Sequence, residues 1–169
     1  MLRWRSAAAA APAVEHALMT QYLYAAFSLA ERPDDTEEHN AARARWRGTL
    51  ITIARQEMGH LATVQNLLRM IGGPVTLDRE DYPFRTDFYP FHFRLEPLSK
   101  DSLAKYVVAE MPENDAPDAE LRQILQRAEA ADVGTPNRVG ALYRQIIDLV
   151  ATLDDDLSPR GPDLTLDPA

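Results

Sequence analysis

An all-α bundle with one long crossover is the fold class this sequence predicts, and three observations predict it. Two long segments carry residues at steps of three and four that trace one face of a helix: Glu15, Leu18, Tyr22, Ala26, Leu29, and then Leu50, Ile53, Glu57, His60, Val64, Leu67, Ile71. A third stripe of the same spacing, Val139, Leu142, Ile146, Leu149 and Leu153, lies near the C-terminal end. No stretch alternates apolar and polar residues strongly enough for a sheet, and none repeats at a solenoid period.

The first helix is expected to start around Pro12, since proline suits a first turn, and to end before Pro33. After the acidic loop ERPDDTEEHN, the second helix covers about residues 41 to 71 and stops at Gly72, Gly73 and Pro74. At 1.5 Å per residue it is about 45 Å long, the length of a bundle helix. The segment PVTLDREDYPFRTDFYPFHFRLEPL is rich in proline and aromatics and has no helical period. It reads as a crossover packed on the bundle surface. Ser99 can cap a short helix ending at Glu110, before Pro112, and a modest helix follows at about 118 to 131. Thr135 and Pro136 form a cap and first-turn pair for the last helix. The helical domain is therefore assigned to residues 1–153 and a loose tail to 154–169.

Composition narrows the function. The chain has 169 residues, enough for one domain with a real core, and its hydrophobic fraction of 46% is ordinary for a globular protein. With no cysteine, thiolate metal sites, disulfides and a cysteine nucleophile are excluded. A net charge of −8 argues against nucleic acid or an anionic membrane as the main partner. The basic run RARWR at Arg43 to Arg47 fits the solvated outer start of a helix. The N-terminal alanine run is too short and too weakly apolar for a signal-peptide core, and no stretch approaches the roughly 20 apolar residues of a membrane span. The expected location is cytoplasmic, in soluble form.

One feature of the second stripe is out of place. Glu57 and His60 sit one turn apart in the middle of a face that should be buried, and Glu15 occupies a core position on the neighbouring helix. An unpaired buried charge is costly, so such groups have partners or a metal. Two accounts fit. The three side chains form a buried polar network, or a groove open to water, or they hold an ion. Carboxylates with one imidazole suit iron or manganese and can serve zinc.

Four blocks in order resemble a known family: EHALMTQYLYAAFSL, IARQEMGHLATVQNLLRMIGG, EDYP and LEPLSKDSLAKYVVAEMPE, with VGALYRQI at 139 to 146 a looser fifth. They are similar to the ferritin-like domain named for iminophenyl-pyruvate dimer synthase. The resemblance implies a ferritin-like helical bundle with a non-haem metal site, acting on a small-molecule substrate. Large members of the family work in bisindole pigment pathways such as those of violacein and rebeccamycin, coupling imines derived from tryptophan oxidation. Carried over residue by residue, the metal ligands are Glu15, Glu57 and His60, with iron the expected ion and Tyr22 lining the same cavity or serving as an ordinary core aromatic.

The chain also departs from that family. A ferritin-like di-metal site takes a glutamate from each of two helices and Glu-x-x-His from each of the other two. Here the family's next glutamate is replaced by Ala141, and its last helix has no counterpart before Ala169. A homodimer in which each chain gives Glu15, Glu57 and His60 restores the full complement. The competing expectation is a non-catalytic ferritin-like module or fragment. Glu110 and Glu113 are expected to play structural parts beside a helix end, His92 to pack among aromatics, and His16 and His39 to be exposed.

Overall fold

The computed structural model describes residues 3–70, 72–86, 91–111, 118–131, and residues 140, 143, 144, 147 and 148 of the segment beyond. Among these, the chain forms α1 (Arg3–Phe27), α2 (Glu37–Met70), α3 (Lys100–Glu110) and α4 (Ala119–Ala131). Extended structure among them is limited to one isolated antiparallel bridge, Phe84 with Phe93. The all-α expectation holds. The stripe positions of the expected last helix, together with Thr135, Pro136, Ala141, Glu113 and the 154–169 tail, lie outside the described residues. Within that segment Gly140, Tyr143, Arg144, Ile147 and Asp148 have helical backbone.

α1 begins nine residues before the expected start, with Pro12 inside it. The run Ala7 to Ala11 explains the difference. Alanine is the strongest helix former, and five in succession carry the helix through a proline that lacks one backbone donor. The helix ends at Phe27, where the Ser28 hydroxyl donates to the Ala25 carbonyl at 2.6 Å and accepts from the Leu98 amide at 2.8 Å. The far end of the crossover is thereby tied to the end of α1.

α2 starts earlier than expected because Thr36 is the better cap: its hydroxyl accepts the His39 amide at 3.2 Å, and Glu37 and Glu38 favour the positive end of the helix dipole. The C-terminal stop is as expected. Gly72 takes a φ of 74°, Gly73 N–H bonds to the Leu68 carbonyl at 2.7 Å, and Gly72 N–H bonds to the Arg69 carbonyl at 3.0 Å. That is the Schellman pattern, which only a residue at ease with positive φ closes without strain.

α1 packs along α2, and α3 packs along α4. The core between the long pair is built from Val14, Ala17, Leu18, Ala25, Leu50, Ala54, Val64 and Leu68. Burial of each large aliphatic there is worth roughly 1.5–3 kcal/mol. The crossover covers this pair with Phe84, Phe91 and Phe93, and it is latched polar group by polar group. The Tyr82 hydroxyl donates to the Ala17 carbonyl at 2.8 Å, the Gln21 amide donates to the Arg94 carbonyl at 3.0 Å, and the His16 ring meets the Leu77 carbonyl at 2.8 Å. His16 is therefore half-buried under the crossover rather than exposed. α3 starts on Ser99 in a reciprocal capping box with Ser102, as its sequence predicts.

Candidate metal centre

The stripe logic places Glu15 on α1 and Glu57 on α2 in the seam between the two helices, where both are buried, at 0% and 4% exposure. His60, one turn beyond Glu57, faces the same point from the rim, with just over half of its side chain open to solvent. Its Nδ1 stands 3.1 Å from Glu57 Oε2 and 3.6 Å from Glu15 Oε2. One ligand atom from each of the three residues lies within 4.8 Å of the others. The site has a closed back at Glu15 and an open front at His60.

A fourth side chain completes the back wall. Tyr143 donates its hydroxyl to Glu15 Oε1. Sequence reasoning passed over this residue. It sits in the VGALYRQI block, but the apolar stripe there runs through Leu142 and Ile146, so periodicity gave Tyr143 no distinction. Glu110, at the end of α3, is bonded to a residue of α1. Tyr22 is buried with its ring edge-on to Tyr106 at 4.9 Å, and its hydroxyl donates to Glu110 Oε1 at 2.8 Å. Tyr22 is thus a core aromatic whose hydroxyl is bonded to Glu110. His39 lies at the surface beside Asp35, and His92 is half-buried in the aromatic crossover.

Charge at the centre does not balance. Burial, together with a hydrogen bond to Glu57 and that residue's charge, pushes the Glu15 pKa up to about 8, against the lowering influence of Tyr143 and His60. Burial likewise raises Glu57, and the Glu110 charge adds to the rise. Two carboxyls close together in a dry seam cannot both ionise without a countercharge. Meanwhile Glu15 Oε2 is buried and has no hydrogen-bond donor. A proton shared with Glu57, a water molecule or a cation would satisfy it. The donor set of two carboxylates and one imidazole is that of iron and manganese sites, so these residues fit such an ion. Tyr143, bonded to Oε1, leaves Oε2 turned toward His60 Nδ1 at 3.6 Å, the arrangement of a group that orients a metal ligand from behind.

Comparison with known proteins gives the same direction. A family model described as Ferritin-like matches residues 9–168. Dichlorochromopyrrolate synthase of Lentzea aerocolonigenes is 34% identical over 121 aligned residues, covering 60% of this chain. The match spans 12% of that relative's own length. No solved structure matches the chain. Among the described residues, no helix is long and apolar enough to cross a membrane.

Proposed function

Because the chain belongs to the ferritin-like family, we propose that it binds iron through Glu15, Glu57 and His60 and serves an oxidative or imine-coupling reaction of secondary metabolism. One observation carries the reading: three ligand atoms within 4.8 Å, one of them a buried carboxylate oxygen that no protein donor satisfies. Dichlorochromopyrrolate synthase, a synthase by name, supports the reaction class, as does the resemblance to iminophenyl-pyruvate dimer synthase. The substrate class that follows is a small molecule, an imine derived from an oxidised amino acid.

Iron held here would supply Lewis acidity and one-electron chemistry toward oxygen or an imine. The protein's own residues do the rest. Glu15 and Glu57 would provide the negative charge that retains the ion, and Glu15 would give up its proton to act as a ligand. Tyr143 keeps Glu15 in place. The buried seam closes the back of the site, and the exposed His60 edge would be the side open to ion and substrate. The net charge of −8 makes nucleic acid an unsuitable partner.

A complete di-metal site needs the ligands of four helices. Two chains paired about a twofold axis, each giving Glu15, Glu57 and His60, would assemble them, so the homodimer is part of this proposal. That the described residues show three ligands rather than the full set favours a second reading, a ferritin-like module that scaffolds without reacting. Elemental analysis joined to light scattering separates the two. About one iron or manganese per chain in a dimer, lost in Glu57→Ala, supports the enzyme. A metal-free monomer, with Glu57→Ala equally stable, leaves the scaffold.

A further inference from the structure

Independently of the metal reading, we propose that the Tyr106 hydroxyl and the Gln21 side chain bind one internal water molecule that ties α3 to α1 beneath the crossover. Gln21 and Tyr106 are both almost wholly buried, at 2% and 4% exposure. Each carries a buried polar atom, Gln21 Oε1 and Tyr106 Oη, with no hydrogen-bond partner among the described residues. A buried polar group left without a partner bears the full cost of losing its hydration, so atoms of this kind are met by ordered water.

The far end of the Gln21 amide fixes its orientation. Its Nε2 donates to the Arg94 carbonyl at 3.0 Å, and turning the amide over would set two oxygens against each other, so Oε1 is the atom left over. Tyr106 approaches from α3 with its ring edge-on to Tyr22, the residue after Gln21, at 4.9 Å. On the crossover, the Tyr82 hydroxyl donates at 2.8 Å to the carbonyl of Ala17, one turn before Gln21, and Glu96 follows Arg94 by two residues. The Tyr106 pKa is raised by burial first, then by the Glu96 carboxylate and the Tyr82 phenol, so the Tyr106 hydroxyl lies near both. The same stretch of crossover therefore borders both atoms. One is a hydroxyl with a proton to give and the other is an acceptor, yet they do not bond to each other. A water between them accepts from Tyr106 and donates to Gln21. Its second hydrogen has the Tyr82 oxygen and the Glu96 carboxylate as acceptors, which completes the about three bonds usual for an internal water.

The test is a crystal structure of the full-length protein, joined to thermal melting of wild type, Tyr106→Phe, Gln21→Met and the double variant. Phenylalanine fills the space of the tyrosine ring, so Tyr106→Phe keeps the fold, which circular dichroism checks. The expected structure has one ordered water within hydrogen-bond distance of both Tyr106 Oη and Gln21 Oε1. Tyr106→Phe should then lower the melting temperature by about 2–4 °C, the shift for one lost hydrogen bond in a domain of this size. The same substitution should cost less in the Gln21→Met background, where the water has already lost one of its partners. Density without a water at these two atoms, or a direct bond between them, overturns the proposal. So does Tyr106→Phe melting at or above the wild-type temperature, because deleting an unpartnered buried hydroxyl relieves a cost instead of breaking a bond. Equal shifts in the two backgrounds overturn it as well, since the two side chains then share no water.

Discussion

Lys105 and Glu57 are buried to almost the same degree, at 3% and 4% exposure, yet one has its countercharge and the other does not. Lys105 on α3 is paired with Glu96 at the end of the crossover, one cation against one anion. Glu57 faces Glu15, a second acid, with a single half-exposed imidazole between them. The first arrangement is closed: adding an ion or a proton would unbalance it. The second is open by one positive charge. Burial of polar groups therefore does not by itself mark a site. A missing countercharge at a point where candidate ligand atoms converge is what marks a candidate site.

pH gives the largest effect with which to break this comparison. In the unfolded chain Glu15 titrates near 4.5, and in the metal-free fold near 8. Between these values the folded state holds a proton that the unfolded state has released. Stability of the metal-free protein should therefore fall as pH rises from about 5 to 8, by at most ~1.4 kcal/mol per pH unit. Urea melts in the presence of chelator measure the slope. Glu15→Gln should flatten it, because the amide needs no proton to sit beside Glu57. A flat profile for the wild type would mean that the two acids are already compensated.

At the balanced cluster the expectation is different in kind. Lys105→Met keeps the apolar stem and removes the charge, leaving Glu96 without its cation. Breaking a buried pair costs about 3–5 kcal/mol, but Glu96 remains 30% exposed and can recruit water, so a loss of about 3 kcal/mol or less is expected. The denaturation midpoint should drop by the same amount with and without Mn(II), which would sharpen the contrast. A drop that metal reverses would place Lys105 in the site after all.

How much of this could be read from the chain depended on distance along it. The Gly72–Gly73 stop, the Ser99 cap and the stripe that brings Glu57 and His60 to Glu15 are local signals, carried by spacings of three to seven residues, and the fold follows them. Pro12 misled because one local rule, proline in a first turn, met a stronger one, the five alanines before it. The contacts of Tyr143 and Glu110 were illegible for another reason. Tyr143 meets Glu15 across 128 positions and Glu110 meets Tyr22 across 88, and no periodicity relates residues so far apart. The three candidate ligands were visible as intrusions into an apolar stripe. The groups that hold those ligands intrude on nothing.

Tyr143→Phe is the smallest change and tests the back wall of the open cluster. It removes one hydroxyl that donates to Glu15 Oε1 and leaves the ring to fill the same space. Loss of a single hydrogen bond should lower stability by about 1 kcal/mol. Its effect on the ion is the more informative one. The hydroxyl holds the Glu15 pKa down, so its removal lets burial and Glu57 raise that pKa further. A proton held more tightly competes better with the metal, and a carboxylate free to turn presents Oε2 less often. Both act in one direction, and a fall in Mn(II) affinity of roughly tenfold, steeper at pH 6 than at pH 8, is expected. Unchanged affinity with the same loss of stability would show that Tyr143 supports the fold as Lys105 does, and that the open cluster is organised by Glu57 and His60 alone.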